Sequence, residues 1–139
     1  MDIVRISAYA CGYYSDAEYE EDIFITKNFY EIIKNKVEGL EFYIGELDGK
    51  HSETEADIEV TEYTEEELLT TSDLLDNSSD NDSLYYELEY LLKDNNVNLE
   101  EEVKKVRDYL DTLDTIIKLE VNVKKSQKNK VLEFIKSLQ

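Results

Sequence analysis

Four acidic residues at alternate positions form the most suggestive chemical pattern in the chain: Glu53, Glu55, Asp57 and Glu59. In a β-strand, residues two apart lie on one face at a spacing of about 6.6–6.8 Å. The pattern therefore predicts a row of carboxylates that points to solvent. Because this spacing roughly matches successive phosphates of a nucleic-acid strand, a groove that binds a phosphate backbone could accept the row instead. The simpler alternative is a solvated hairpin face, although lysine, threonine or serine would serve there equally well.

Further acids flank this row. Glu41 is expected opposite Asp57 on a neighbouring strand, where the two like charges would destabilise the pairing. Four more acids continue the row along the chain: Glu62, Glu65, Glu66 and Glu67. We predict that the row and these neighbours bind a partner.

A second acidic stretch is interleaved with tyrosines. Its acids are Asp16, Glu18, Glu20, Glu21 and Asp22, and its tyrosines are Tyr13, Tyr14 and Tyr19. Tyrosine supplies rigid contact area and can stack on arginine, so the combination is typical of a protein interface. The alternative is a surface loop whose tyrosines pack on the core.

Catalytic chemistry finds little support. His51 is the one histidine, so no second histidine completes a metal site. Cys11 is the one cysteine, which excludes a disulfide framework, and a nucleophilic role would need a base that only His51 could supply. With four glycines, the chain has no glycine-rich phosphate loop. We expect no enzymatic activity and no cofactor.

One polar stretch has the approximate spacing of a calcium-binding loop between two helices. Its candidate ligands are Asp76, Ser78, Asp80, Asp82 and Glu87. Asn81 stands where such loops usually have glycine, and Ser83 stands where they have an apolar residue. A polar interhelical loop is therefore the favoured interpretation, and calcium binding is an alternative.

The negative charge is concentrated in the middle of the chain. In 139 residues, 34 acids face 15 bases, for a net charge of -19. Residues 51–100 carry 16 acids and one base, whereas residues 101–139 carry 7 acids and 9 bases. Such a field repels nucleic acid and acidic membranes and speeds association with a basic partner, although it also confers solubility. With no basic leader and no long apolar run, we expect a soluble cytoplasmic protein.

Periodicity predicts the elements that hold these groups. Residues 3–10 alternate as a strand, residues 13–22 form a connection, and residues 117–123 alternate as a later strand. Leu40 to Ile44 and Ala56 to Val60 form the two arms of a hairpin. Keeping their apolar residues on one side favours a three-residue loop, 48–50, that pairs Ile44 with Thr54.

Capping residues mark the predicted helices. Thr26 caps a helix over 27–37, which Gly39 ends in a left-handed turn. Thr64 and Glu67 form a capping box for a helix to about residue 75. Ser83 and Asn98 are predicted to cap the next two helices, and Ser126 is predicted to open the last one. The order β-α-β-β-α-α-α-β-α predicts one α+β domain over residues 1–139, with a small, mostly antiparallel sheet and helices packed on one face.

In composition and size, this acidic chain resembles the DNA-mimic inhibitors that phages and mobile elements make against restriction enzymes and CRISPR effectors. The resemblance is one of charge and size, covers no aligned stretch and transfers no site. It implies that the carboxylates occupy a basic nucleic-acid groove of a defence nuclease, in the host cytoplasm if a phage encodes the chain. An immunity or antitoxin-like protein that covers a basic toxin is the alternative. A calcium-responsive binding domain is a third, less favoured alternative.

Overall fold

The computed structural model describes residues 1–12, 16–45, 53–71, 74, 82–120 and 125–138. Within them the elements run β1 (Ile3–Cys11), β2 (Glu18–Thr26), α1 (Lys27–Glu38), β3 (Tyr43–Gly45), β4 (Glu53–Glu55), β5 (Asp57–Tyr63), α2 (Glu65–Thr70), α3 (Ser83–Leu91), α4 (Leu99–Glu120) and α5 (Lys125–Ser137). This small antiparallel sheet with helices confirms the predicted α+β class. In the parts of the chain described here, none of the helices combines the length and the apolar character that crossing a membrane requires.

Strand β1 is the centre of a three-stranded antiparallel sheet, between β2 and β5. Its even-numbered residues alternate inward as predicted, and Val4, Ile6 and Ala8 are fully buried. Ile6 pairs with Ile23 of β2 and with Val60 of β5. Because paired residues project to the same face, this side of the sheet is mainly apolar and forms the floor of the core, although Glu21 of β2 and Glu62 of β5 also lie on it.

Helices α1 and α3 cover the apolar face through residues such as Ile33 and Leu84, which are 1% and 0% exposed. A second apolar cluster lies where Ile3 and Phe24 meet α2, α4 and α5. Phe24 pairs with Arg5 and therefore projects from the opposite face of the sheet. The expectation of helices on one face is thus refined, because the opposite face is covered at the Ile3 end.

Two corrections apply to the predicted element order. Residues 18–22, predicted as a connection, belong to β2 and pair with β1 along its length. Residues 117–120, predicted as the start of a strand, continue helix α4, because Leu113 and Ile116 pack along the helix into the second cluster. The remainder of that predicted strand, residues 121–123, lies outside the described residues.

The predicted hairpin register is confirmed, since Ile44 pairs with Thr54. Its second arm is shorter than predicted. Ala56 still donates its amide hydrogen to the Phe42 carbonyl oxygen at 2.8 Å, but from Asp57 onward the chain leaves the hairpin and pairs with β1. The predicted loop at 48–50 lies outside the described residues.

Most of the predicted caps are present. The Phe29 amide donates to the Thr26 hydroxyl at 3.2 Å, the Glu67 amide donates to the Thr64 hydroxyl at 3.2 Å, and the Glu101 amide donates to Asn98 Oδ1 at 3.1 Å. Helix α1 ends at Glu38, one residue later than predicted, and Gly39 has a φ of -91°, so the predicted left-handed turn is wrong. Helix α2 ends at Thr70, earlier than predicted, and α5 begins at Lys125.

The start of α3 also differs from expectation. Its N-cap residue is Asp82 rather than Ser83, and the Asp82 side chain makes no capping hydrogen bond. The amides of Leu84 and Tyr85 instead donate to the carboxylate of Glu21, on strand β2, at 2.9 Å each. The helix is therefore capped from a distant part of the chain.

Candidate functional site

The open face of the sheet brings together the two acidic stretches of the sequence. Tyr9 of β1 pairs with Glu20 of β2 on one side and with Asp57 of β5 on the other. One step along, Ser7 pairs with Asp22 and with Glu59 on the corresponding strands. Because directly paired residues share a face, Glu20, Asp22, Asp57 and Glu59 flank strand β1 on both sides, and we call these four residues the acidic face.

Strand geometry sets the spacing of the acidic face. Neighbouring strands lie about 4.7–4.9 Å apart, so the backbones of its two carboxylate rows are separated by about 10 Å across β1. Along each strand, the two acids are about 6.6–6.8 Å apart. The result is a roughly rectangular array of four carboxylates, rather than the single row that the sequence predicts.

The carboxylates of this array are largely without cationic partners. Glu20, Asp57 and Glu59 are exposed, and none of them forms an ion pair within the described residues. Asp22 is half-buried and accepts a hydrogen bond from the Ser7 hydroxyl at 2.6 Å. Three acids therefore remain available to a basic group from outside.

A cleft of about 320 Å³ lies in the middle of the acidic face. It is lined by Arg5, Ser7, Tyr9, Glu20, Asp57 and Glu59. Tyr9 is 42% exposed, and the negative charge of Glu18 raises the pKa of its phenol. The guanidinium of Arg5, which also lines the cleft, lies 5.5 Å from the centre of the Tyr63 ring. The cleft thus combines an open aromatic ring with three exposed carboxylates and one cationic side chain.

The predicted row of four acids is exposed throughout but is divided between two sheets. Glu53 and Glu55 lie on β4, and their strand neighbour Thr54 is buried, as the alternation predicts. Asp57 and Glu59 lie on β5 and belong to the acidic face. Glu41 is exposed outside any strand, and the strand partner of Asp57 is Tyr9, so the predicted pairing of Glu41 with Asp57 is wrong.

The acids that follow the row do not extend the acidic face. Glu62 pairs with the buried Val4, hence on the other side of the sheet, and lies 3.6 Å from the Lys27 ammonium. Glu65 contacts the N-terminal ammonium at 3.3 Å. Glu66 is exposed on α2, and the amide of Glu67 donates a hydrogen bond to the capping Thr64 hydroxyl. The prediction that they continue the row is wrong, because helix α2 and the sheet alternation turn them elsewhere.

The tyrosine-bearing stretch is divided in the same way. Asp16, Glu18 and Glu20 are exposed, whereas Tyr19 is only 4% exposed and packs against Phe42. Tyr19 is therefore a core residue, and its assignment to a partner interface is wrong. Burial and a hydrogen bond to Glu21 raise the pKa of its phenol. Tyr13 and Tyr14 lie outside the described residues.

Sequence reasoning missed three residues of the cleft: Arg5, Ser7 and Tyr9. Their alternation on the polar side of β1 was a visible signal, but it indicates a site only once acidic strands are known to lie on both sides. Of the candidate calcium ligands, Asp76, Ser78 and Asp80 lie outside the described residues, as does His51. No group of three or more metal-ligating side chains occurs in the part of the chain that is described.

In comparisons with protein-family models, curated proteins and solved structures, nothing matches this chain. The acidic face is therefore the feature from which we infer a function.

Proposed function

We propose that this chain is an acidic inhibitor that binds a basic nucleic-acid-binding groove of another protein and blocks DNA or RNA engagement by phosphate mimicry. The observation that carries the proposal is the acidic face, in which strands β2 and β5 flank β1 with unpaired carboxylates. The partner class is a defence nuclease of the CRISPR or restriction type, encountered in the cytoplasm.

The mechanism is competitive occlusion. A groove that binds nucleic acid places lysine and arginine side chains where successive phosphates lie, and it obtains much of its affinity from those charges. The carboxylates of the acidic face have a comparable spacing along each strand and are held by backbone pairing rather than by flexible loops. Such an array occupies the phosphate positions without reading bases, so binding weakens with salt as nucleic-acid binding does.

The test compares two variants of equal net charge. The face-reversed variant carries Glu20→Lys, Asp57→Lys and Glu59→Lys. The control variant carries Glu31→Lys, Asp108→Lys and Glu133→Lys, at exposed acids on helices. Three reversals add six charges, so each variant changes the net charge from -19 to -13. Both are added to DNA-cleavage reactions of purified restriction enzymes and CRISPR effectors, together with the parent protein.

The parent and the control variant should inhibit at least one nuclease, with inhibition that falls as DNA or salt is raised. The face-reversed variant should lose inhibition by tenfold or more. Equal inhibition by both variants would show that overall charge, and not the acidic face, is responsible. Neutralisation of a basic toxin with no effect on any nuclease would favour the immunity-protein alternative.

A further inference from the structure

We infer that the cleft at Tyr9 is a receptor for one arginine side chain of the basic partner, which stacks on the Tyr9 ring between Glu20 and Asp57. This inference depends on the proposed function and adds to it a defined point of contact. The occupant is an arginine within a folded basic protein, rather than a metal ion, a free amino acid or a second copy of this chain.

Three features of the cleft select a cation of this shape. Its volume of about 320 Å³ is at the low end of the range for ligand sites, about 300–1,000 Å³, so it suits a single long side chain. Its lining carries three exposed carboxylates, at Glu20, Asp57 and Glu59, against one cation, that of Arg5. The lining also includes the exposed ring of Tyr9, and the negative face of an aromatic ring attracts a cation.

The same sheet face already holds one pair of this kind. At the Ile3 end, the guanidinium of Arg5 lies over the ring of Tyr63, 5.5 Å from its centre. At the other end, Tyr9 has carboxylates on both flanking strands but, among the described residues, no lysine or arginine over its ring. The Tyr9 end therefore has an aromatic ring and carboxylates that could bind a stacked arginine. The partner supplies that arginine.

Arginine fits the cleft better than lysine. Its guanidinium is planar, stacks on an aromatic ring and presents donors in several directions, whereas the lysine ammonium is a compact and strongly hydrated point charge. With Glu20 and Asp57 on opposite sides of Tyr9, a stacked guanidinium has an acceptor at each edge. A lysine at this position would contact one carboxylate and gain less from the ring.

The test measures the preference for arginine directly, with labelled nona-arginine and nona-lysine peptides of equal charge as probes. Fluorescence anisotropy gives the affinity of each peptide at several salt concentrations. The variants are Tyr9→Thr, which keeps a good strand former but removes the ring, and Tyr9→Phe, which keeps the ring. Tyr86→Ala is the matched control, because Tyr86 is an exposed tyrosine, 62% accessible, on α3.

We expect the parent to bind nona-arginine about five- to tenfold more tightly than nona-lysine, in line with the strength of a cation–π contact. Tyr9→Thr should reduce this ratio to about two or less, mainly by weakening nona-arginine. Tyr9→Phe and Tyr86→Ala should preserve the ratio. Thermal melting of each variant checks that the fold is retained.

The possible failures are distinguishable. If Tyr9→Thr leaves the ratio unchanged while the face-reversed variant loses both peptides, the arginine receptor is wrong and the proposed function stands. If the face-reversed variant binds both peptides as tightly as the control variant does, the proposed function is wrong as well. If free arginine binds the cleft as tightly as the peptide does, the occupant is a free amino acid and the inference is wrong. If the parent self-associates and Tyr9→Thr abolishes that self-association, the occupant is a second copy of this chain and the inference is again wrong.

Discussion

Glu21 gives the sharpest test of how this fold is held together. The side chain is 4% exposed, and its carboxylate accepts three hydrogen bonds. Oε1 accepts from the Leu84 amide at 2.9 Å and from the Tyr19 hydroxyl, and Oε2 accepts from the Tyr85 amide at 2.9 Å. The first amides of a helix have no partner within the helix, and the helix dipole favours a negative charge beside them. Glu21 thus joins strand β2 to helix α3.

The expected loss of stability follows from this geometry. Replacing Glu21 by alanine leaves two buried donors and one part-buried donor without an acceptor, at about 1–3 kcal/mol each before any water enters. With partial rehydration, we expect Glu21→Ala to reduce the free energy of unfolding by about 3–5 kcal/mol. Glutamine can keep an oxygen at the Oε1 position but places an NH₂ group against the Tyr85 amide. Glu21→Gln should therefore cost about 1.5–2.5 kcal/mol.

Urea denaturation followed by circular dichroism measures both losses, and hydrogen exchange locates them. In Glu21→Gln, exchange should accelerate more at the Tyr85 amide than at the Leu84 amide. The matched control is Glu20→Gln, the adjacent residue on the exposed face, which should change stability by about 0.5 kcal/mol or less. A loss below about 1 kcal/mol for Glu21→Ala, with unchanged exchange in α3, would refute the role of the carboxylate as the cap of this helix.

Two further predictions concern other contacts. Thr26→Val removes a hydroxyl that accepts a hydrogen bond from the Phe29 amide and donates one to Glu102 Oε1 at 2.6 Å. Urea denaturation should show that this change reduces the free energy of unfolding by about 2–3 kcal/mol. The control Thr112→Val, on the exposed side of α4, should reduce it by about 0.5 kcal/mol or less. Burial and a hydrogen bond to Glu89 raise the pKa of Tyr85 to about 12, so its contribution to stability is complete below the unfolded value of about 10 and is lost as the pH rises through 12. Tyrosinate absorbance should show one fewer late-titrating phenol in Tyr85→Phe, and an unchanged alkaline titration would contradict this assignment.

The elements with a clear local pattern could be predicted from the sequence. Strand β1 has alternating apolar and polar residues, and Thr26 and Asn98 cap helices as predicted. The hairpin register was predictable because it keeps the apolar residues of both arms on one side. Strand β2 could not be recognised, because Glu21 occupies an inward position where the alternation requires an apolar residue. That carboxylate is inside because it caps helix α3, more than sixty residues away, and no local pattern contains this information.

The acidic face was only half predictable for a similar reason. Both acidic stretches are evident in the sequence. Whether they lie close together in the fold depends on where the chain leaves the hairpin. If residues after Ala56 had continued along the first arm, Asp57 and Glu59 would lie far from Glu20. Because Asp57 instead pairs with Tyr9, β1 comes to lie between the two stretches. The apolar residues Ile58 and Val60 cause this exchange, since they complete the core face of the main sheet.

The acidic face also places like charges where the fold gains nothing from them. Asp57 and Glu59 follow each other along β5, and Glu20 and Asp22 face them across β1, so each carboxylate is repelled by its neighbours. Threonine at the exposed positions of Glu20, Asp57 or Glu59 would favour the strand and remove the repulsion. Ion pairs are few elsewhere among the described residues, and the contact of Glu62 with Lys27 is one of them. Three acids left unpaired around an open tyrosine cost stability, and the basic partner that we propose would account for that cost.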